Sequence, residues 1–247
     1  MSELYIKTEN RDGRTVVSDS YFTAPFKITQ PFYNSGVSEI MIMQASAGIL
    51  DGDSLDIRFD IGSESRAAIT GQSYTKLFKM DRYGAVQHTK INVRENGTLY
   101  YLPCPVIPFG GSDFKCVNEI SLSHSSKFML WDVVSCGRTG MGERFAFNKY
   151  HSRTLVSVDE KIIFADNTRL VPREAALDDI GFFEGYSHMG TAYFYGFGDL
   201  KKYFDNKTPT AVTKANAGQL VRILADSGEY ITDFLKGIIR EEENYAI

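Results

Sequence analysis

From about residue 14 to residue 197, apolar and polar residues alternate with a period of two, and polar turns break the run roughly every ten residues. Leu55, Ile57, Phe59 and Ile61 alternate with Asp56, Arg58 and Asp60 before Gly62. Ile91 and Val93 lead into Glu95-Asn96-Gly97 and then Thr-Leu-Tyr-Tyr-Leu at 98–102; Asn-Gly accepts positive φ, so a hairpin is expected there. The same rhythm recurs at Ile120 and Leu122, at 128–134, at 154–158 and at 161–165. Such a chain builds sheets with one wet face. The fold expected is mainly β: a stacked or β-helix-like array of antiparallel and mixed strands. No exact sequence repeat selects a solenoid outright.

The pattern changes after Gly190. Residues 191–195 read as a strand, Gly198-Asp199 precedes a short helix through about Asn206, and 220–224 read as another strand. Ser227 is placed to N-cap a second helix whose stripe is Ile231, Phe234, Leu235, Ile238 and Ile239. Two α-helices near the C-terminus are therefore expected. The run Glu241-Glu242-Glu243 opposes the helix dipole, so fraying is expected there. With 43% hydrophobic residues among 247 and no linker-like stretch, the chain reads as one domain spanning 1–247.

A formal net charge of −4 argues against a general nucleic-acid binder. No apolar run approaches the ~20 residues that span a bilayer. The N-terminus lacks the pattern of a secretory signal. Three cysteines, at 104, 116 and 136, with no C-x-x-C pair, fit reduced thiols in the cytoplasm.

Residues 129–143 carry the most unusual chemistry. Asp132 lies in a strand with Leu130 and Val134 on its own face and Trp131 and Val133 on the other. A carboxylate there has to be paired, solvated or neutralised. The strand ends in a glycine-rich turn holding Arg138 and Glu143. Standard catalytic patterns fail elsewhere. Asp51-Gly52-Asp53 lacks the EF-hand's position-5 ligand and position-6 glycine, because Leu55 and Asp56 stand there, so a β-turn is the reading. Ser73 and Lys76 would make a hydrolase pair only with support beyond adjacency. The histidines at 88, 124, 151 and 188 have no metal-ligand spacing, and His188 reads as a packed histidine. Cys104, between two prolines, would need a lowered pKa to be reactive.

Several segments, in order, match one family pattern. They are Ala47-Gly-Ile-Leu-Asp-Gly-Asp53-Ser-Leu55, Gln72-Ser-Tyr-Thr75-Lys76-Leu-Phe-Lys79 and the apolar segment 99–109. After these come Trp131-Asp132 with Gly137-Arg138 and Gly142-Glu143, then Asp166 ahead of Arg169-Leu170, and finally Gly185-Tyr-Ser-His-Met-Gly190. Together they resemble the urease accessory protein family called UreD, or UreH in some lineages. Ala47, Asp51 and Lys79 depart from the family's glycines and arginine.

The resemblance implies a non-enzymatic, mainly β scaffold for urease maturation. It would bind apo-urease and UreF, which carries the GTPase UreG, with two copies of the protein in the accessory complex. Nickel(II) would be in transit toward a urease lysine carbamylated by CO₂, with no stably bound cofactor and no stable metal site. A transit route should bind Ni²⁺ weakly at several points. On this reading Asp53, Asp132 and Asp166 form the route and Thr75 and Lys76 line it. Lys76 would neutralise the carboxylates when metal is absent, and Trp131, Arg138 and Glu143 would serve structure or an interface. Two alternatives stay open: one buried ion-pair network, and a cytosolic β-rich hydrolase using Ser73 and Lys76. For UreF, the aromatic region between Tyr21 and Tyr33 and the C-terminal helix are both candidate contacts.

Overall fold

The computed structural model of the chain describes residues 1–204, 209–243 and Tyr245. Along the chain come β1 (Ser2–Arg11), β2 (Arg14–Phe22), β3 (Phe26–Ile28), β4 (Phe32–Asn34), β5 (Val37–Gln44) and β6 (Ser54–Ile61). Then follow β7 (Arg66–Gly71), β8 (Thr75–Leu77), β9 (Ala85–Val93), β10 (Thr98–Leu102), β11 (Val106–Pro108) and β12 (Asp113–Leu122). The last strands are β13 (Lys127–Ser135), β14 (Lys149–Val158), β15 (Lys161–Leu170), β16 (His188–Tyr195), β17 (Thr210–Ala215) and β18 (Gly218–Ala225). One α-helix, α1 (Gly228–Glu243), closes the series.

The strands form two sheets. A seven-stranded sheet runs β15-β14-β12-β9-β6-β1-β2, and an eleven-stranded sheet has the spine β17-β18-β16-β13-β10-β7-β5-β3. Successive coils of chain feed both: β6 then β7, β9 then β10, β12 then β13, with β8 and β11 pairing on the return side. The central pairings are parallel, and antiparallel strands close the ends. This is the stacked, solenoid-like mixed array expected from the alternation.

Why no repeat is visible in the sequence follows from the register. Ile6, Phe59, Ile91, Ile120 and Val156 stand in one inward row of the first sheet, and Thr8, Ile61, Val93, Leu122 and Val158 in the next. Apart from the buried Thr8 at the start of the second, the rows keep apolar character and direction, not residue identity. Hydrophobic burial is non-directional, so any well-fitting apolar side chain serves.

The expected hairpin at Glu95-Asn96-Gly97 is instead a corner between sheets. Asn96 does take positive φ, 55°. However, β9 pairs with β6 and β12, while β10 pairs with β7 and β13. Equivalent corners stack and bond one another: Thr98 N–H donates to Ser65 O at 2.7 Å, and Lys127 N–H to Gly97 O at 2.8 Å. Local turn chemistry was read correctly, but coil-to-coil bonding overrides the hairpin pairing.

The eleven-stranded sheet is covered on both faces. Phe128, Leu130 and Val134 of β13 pack into the core between the sheets, whereas Met129, Trp131 and Val133 pack in a second core under α1. Ile231, Leu235, Ile238 and Ile239 supply the helix side of that second core, and Ser227 Oγ accepts the Tyr230 N–H as N-cap. Gly190 on β16 allows the approach, since a Cβ there would lie 2.6 Å from Ile231 Cγ2.

Two expectations for the C-terminal region need correction. The segment after Asp199 forms only a 3-10 turn, Leu200–Tyr203, because Asp199 Oδ1 caps Lys201 N–H and the chain then extends at Phe204. Asn206, the expected end of that helix, lies outside the described residues. The acidic end of α1 is helical through Glu243. Cations from elsewhere offset the unfavourable dipole: Arg66 and Lys127 bond Glu243, and Lys202 bonds Glu242 at 2.6 Å. Among the described residues, no helix is long and apolar enough to cross a membrane.

Candidate functional site

The rows that fill the core do not stay apolar along their length. In the first sheet, Ile57 is followed across the strands by Thr89, Asn118, Thr154 and Asp166. The neighbouring row runs Leu55, Gln87, Cys116, Ser152 and Thr168. Opposite, the second sheet aligns Asp132 on β13 with Thr191 on β16 and Arg222 on β18. Polar side chains from both sheets therefore meet in one band at one end of the inter-sheet core, while the other end stays apolar.

Part of this band is hollow. One cavity of about 80 Å³ is lined by Gln44, Thr70, Gln72 and Ser73 at one side and by Thr75, Gln87, Tyr101 and Cys104 at the other. A second, of about 50 Å³, is lined by those last four residues together with Cys116, Asn118, Asp132 and Tyr150. The cavities thus share a wall. A water needs only ~10–15 Å³ of such space and two to four polar partners, so both can hold several waters. Gly71 keeps the shared wall thin, because a Cβ there would lie 2.8 Å from Cys104 Sγ.

Asp132 sits at the inner end. Tyr150 O–H donates to its Oδ1 at 2.7 Å. Burial raises the Asp132 pKa, and hydroxyl bonds from Ser152 and Tyr150 oppose that rise. Asp166 raises it further by repulsion and Arg222 lowers it, so the two groups sense the same field as Asp132. Asp166 accepts from Thr168 Oγ1 at 3.0 Å and from Arg222, whose other amine donates to Thr191 Oγ1 at 3.2 Å. Asn118 Nδ2 donates to Thr154 Oγ1 at 3.1 Å and connects the two ends.

Of the residues singled out from sequence, Thr75 and Asp132 line one cavity, and Asp166 continues the same row of the structure. Asp53 is apart: its carboxylate accepts the Leu50 N–H at 2.8 Å in the turn before β6, and it lines neither cavity. Lys76 is exposed on the outer side of β8, between the inward Thr75 and Leu77. The cation beside the inner carboxylates is Arg222, on a strand the sequence reading left without chemistry. Ser73 lines the first cavity whereas Lys76 is exposed on β8, and among the described residues no hydrogen bond joins them.

Arg138 and Glu143 form a two-point ion pair, with Arg138 Nε to Glu143 Oε2 at 2.7 Å. Glu143 also accepts Gly110 N–H at 3.2 Å, and Arg138 stacks on Phe109. This fastens the glycine-rich turn to the loop before β12. Trp131 Nε1–H donates to Pro103 O at 2.6 Å, fixing the wall beside Cys104. Asp51 has a larger role than a plain turn residue: its carboxylate accepts four backbone N–H groups, from Asp81, Arg82, Tyr83 and Gly84.

The thiols of Cys104 and Cys116 are pushed up in pKa by burial, so both are protonated near neutrality. The thiolate is the metal ligand. Among the described residues, Asp132 is then the single carboxyl group reaching the second cavity. His188 lies on the other side of the sheet, its Nδ1 2.8 Å from Ser187 Oγ and its ring beside Tyr74 near α1. Burial lowers its pKa. Among the described residues, no three His, Cys, Asp or Glu side chains lie together so as to hold a metal ion.

Gln87, Asn118, Tyr150, Ser152 and Thr154 were missed from sequence. A signal was present: on β9, β12 and β14, polar residues share the phase of the core positions Ile91, Ile120 and Val156 but precede them along each strand.

A family model described as UreD urease accessory protein matches residues 1–243. The chain is 38% identical over 196 residues to a protein named urease accessory protein UreD from Acetivibrio thermocellus, covering 78% of this chain and 75% of the relative. It is 31% identical over 245 residues to urease accessory protein UreH of Helicobacter hepaticus, with 96% of each covered. Against UreH of Helicobacter pylori it is 37% identical over 189 residues, covering 76% of this chain and 71% of the relative. On its fold, its ordered motifs and these matches, the chain belongs to the UreD family of urease accessory proteins.

Proposed function

We propose that this protein is a non-enzymatic urease maturation factor that conducts Ni²⁺ along the polar band between its sheets toward apo-urease. The observation that carries the proposal is the pair of wall-sharing cavities, each lined by polar groups on one side and apolar ones on the other, the second ending at Asp132, in line with Thr191, Arg222 and Asp166. Ni²⁺ accepts carboxylate, amide, hydroxyl and water oxygens. A passage with one accessible anion and many neutral oxygens holds such an ion weakly enough to release it, as conduction requires. Protonated thiols along the wall do not trap it.

UreF, carrying UreG, supplies the ion on this reading, and urease receives it. The apolar stripe of α1 is already covered by the larger sheet. Tyr21, Phe22, Phe32 and Tyr33 are exposed, which leaves them as the aromatic surface for the UreF contact.

The test is urease activation in a reconstituted accessory complex carrying Asp132→Ala or Asp166→Ala, with assembly checked by co-purification with UreF. Assembled complexes should load little nickel. Normal loading by variants that fold and assemble would remove the conduit role.

A further inference from the structure

Resting on that reading, we infer that Arg222 is a movable guanidinium gate that closes the passage at its Asp166 end. The second cavity reaches Asp132, and neither cavity is lined by Thr191, Asp166 or Arg222. Beyond it, the next residue of the row is the half-buried Thr191 and the one after that is the exposed Arg222, whose guanidinium bonds Thr191 and Asp166 together. On the far side of Arg222 lies a separate surface groove of about 420 Å³, which it lines with Phe182, Glu184 and Met189. Arg222 therefore stands between a polar interior and an open groove, touching both.

Its chemistry suits a gate for a cation. A fixed guanidinium across a narrow path repels a divalent ion, much as an arginine does in selective pores. The side chain of Asp166 is only 15% exposed beneath Arg222, whose own side chain is 44% exposed. The guanidinium is the solvated member of the pair, and a solvated cation gives up an ion pair at small cost. When Ni²⁺ competes for Asp166, the guanidinium is released toward the groove, where Glu184 offers a second carboxylate.

The chain carries its own probe. Trp131 is the only tryptophan; it adjoins Asp132 at the second cavity, with its indole packed on the α1 face of β13 and bonded to Pro103 O. Ni²⁺ arriving there quenches its fluorescence at short range. Stopped-flow mixing of the full-length protein with NiCl₂, every chain carrying Thr75→Phe to plug the approach through the first cavity, should show slow quenching in the chain otherwise native. In Arg222→Gln it should be on the order of tenfold faster, the effect of removing one like charge from a focusing cleft. Arg222→Lys should keep most of the delay, and Arg173→Gln, an exposed arginine elsewhere, should leave the rate unchanged. Circular dichroism confirms that each variant is folded.

Equal rates for the native chain and Arg222→Gln, with quenching still abolished by Asp132→Asn, would overturn the gate and leave the passage intact. Quenching that ignores Asp132→Asn would remove the passage itself.

Discussion

Gly190→Ala tests how the helix is seated on the eleven-stranded sheet. The added methyl would lie 2.6 Å from Ile231 Cγ2, 3.5 Å from Ile231 Cδ1 and 3.7 Å from Val133 Cγ2. Carbon atoms pack at about 3.5–4.0 Å, so the first contact is short by about 1 Å. Ile231 is fully buried and Val133 nearly so; neither can swing into solvent. The cost is that of overpacking, about 1–3 kcal/mol. For a chain of this length that lowers Tm by about 2–12 °C. Thermal unfolding followed by circular dichroism measures it. Ile231→Ala alone should cost about 2–5 kcal/mol through its cavity. In the double variant the new methyl relieves its clash and fills part of that space, so the two losses should fall short of their sum by about 1–2 kcal/mol. Strict additivity would show that Gly190 and Ile231 do not meet as described.

Three further outcomes follow from the electrostatics. Backbone N–H groups lower the Asp51 pKa, so its contribution is complete above the ordinary carboxylate range and lost as pH falls through the lowered value. Asp51→Ala should therefore speed hydrogen exchange at residues 81–84 near neutral pH and make little difference in strong acid. Asp132 has the opposite sign: burial raises its pKa, so the unfolded chain ionises first and stability falls as pH rises from the ordinary value to the raised one. Asp132→Asn should match the native Tm in acid and exceed it at pH 8, while losing nickel loading. Glu243→Gln leaves Arg66 and Lys127 without their shared partner and should cost about 1 kcal/mol, an effect that added salt reduces.

How much was readable in advance depends on the range of the interaction. The strands, the inward placement of Asp132 and the stripe of α1 follow from periods of two and 3.6, which are local. The sheet to which each strand goes is not local: Asn96 turns the chain in the way its residue type allows, but pairing between coils decides its destination. The same gap hid the acidic helix end, whose cations come from Arg66 and Lys127 far back in the chain. It also hid Arg222, which meets Asp166 only after the chain has passed from one sheet to the other. Asp53 and Lys76 were drawn in by motif membership, and the fold uses the first as a turn acceptor and leaves the second in solvent.

Thr75 lines both cavities, and their combined space is too small to admit an indole without filling the route. The decisive measurement is the nickel content per urease active site after activation with Thr75→Trp, in complexes that retain UreF and GTP hydrolysis. Loading that drops to the level seen without this protein agrees with transit between the sheets. Full loading through the plugged interior would mean that the ion travels by another path.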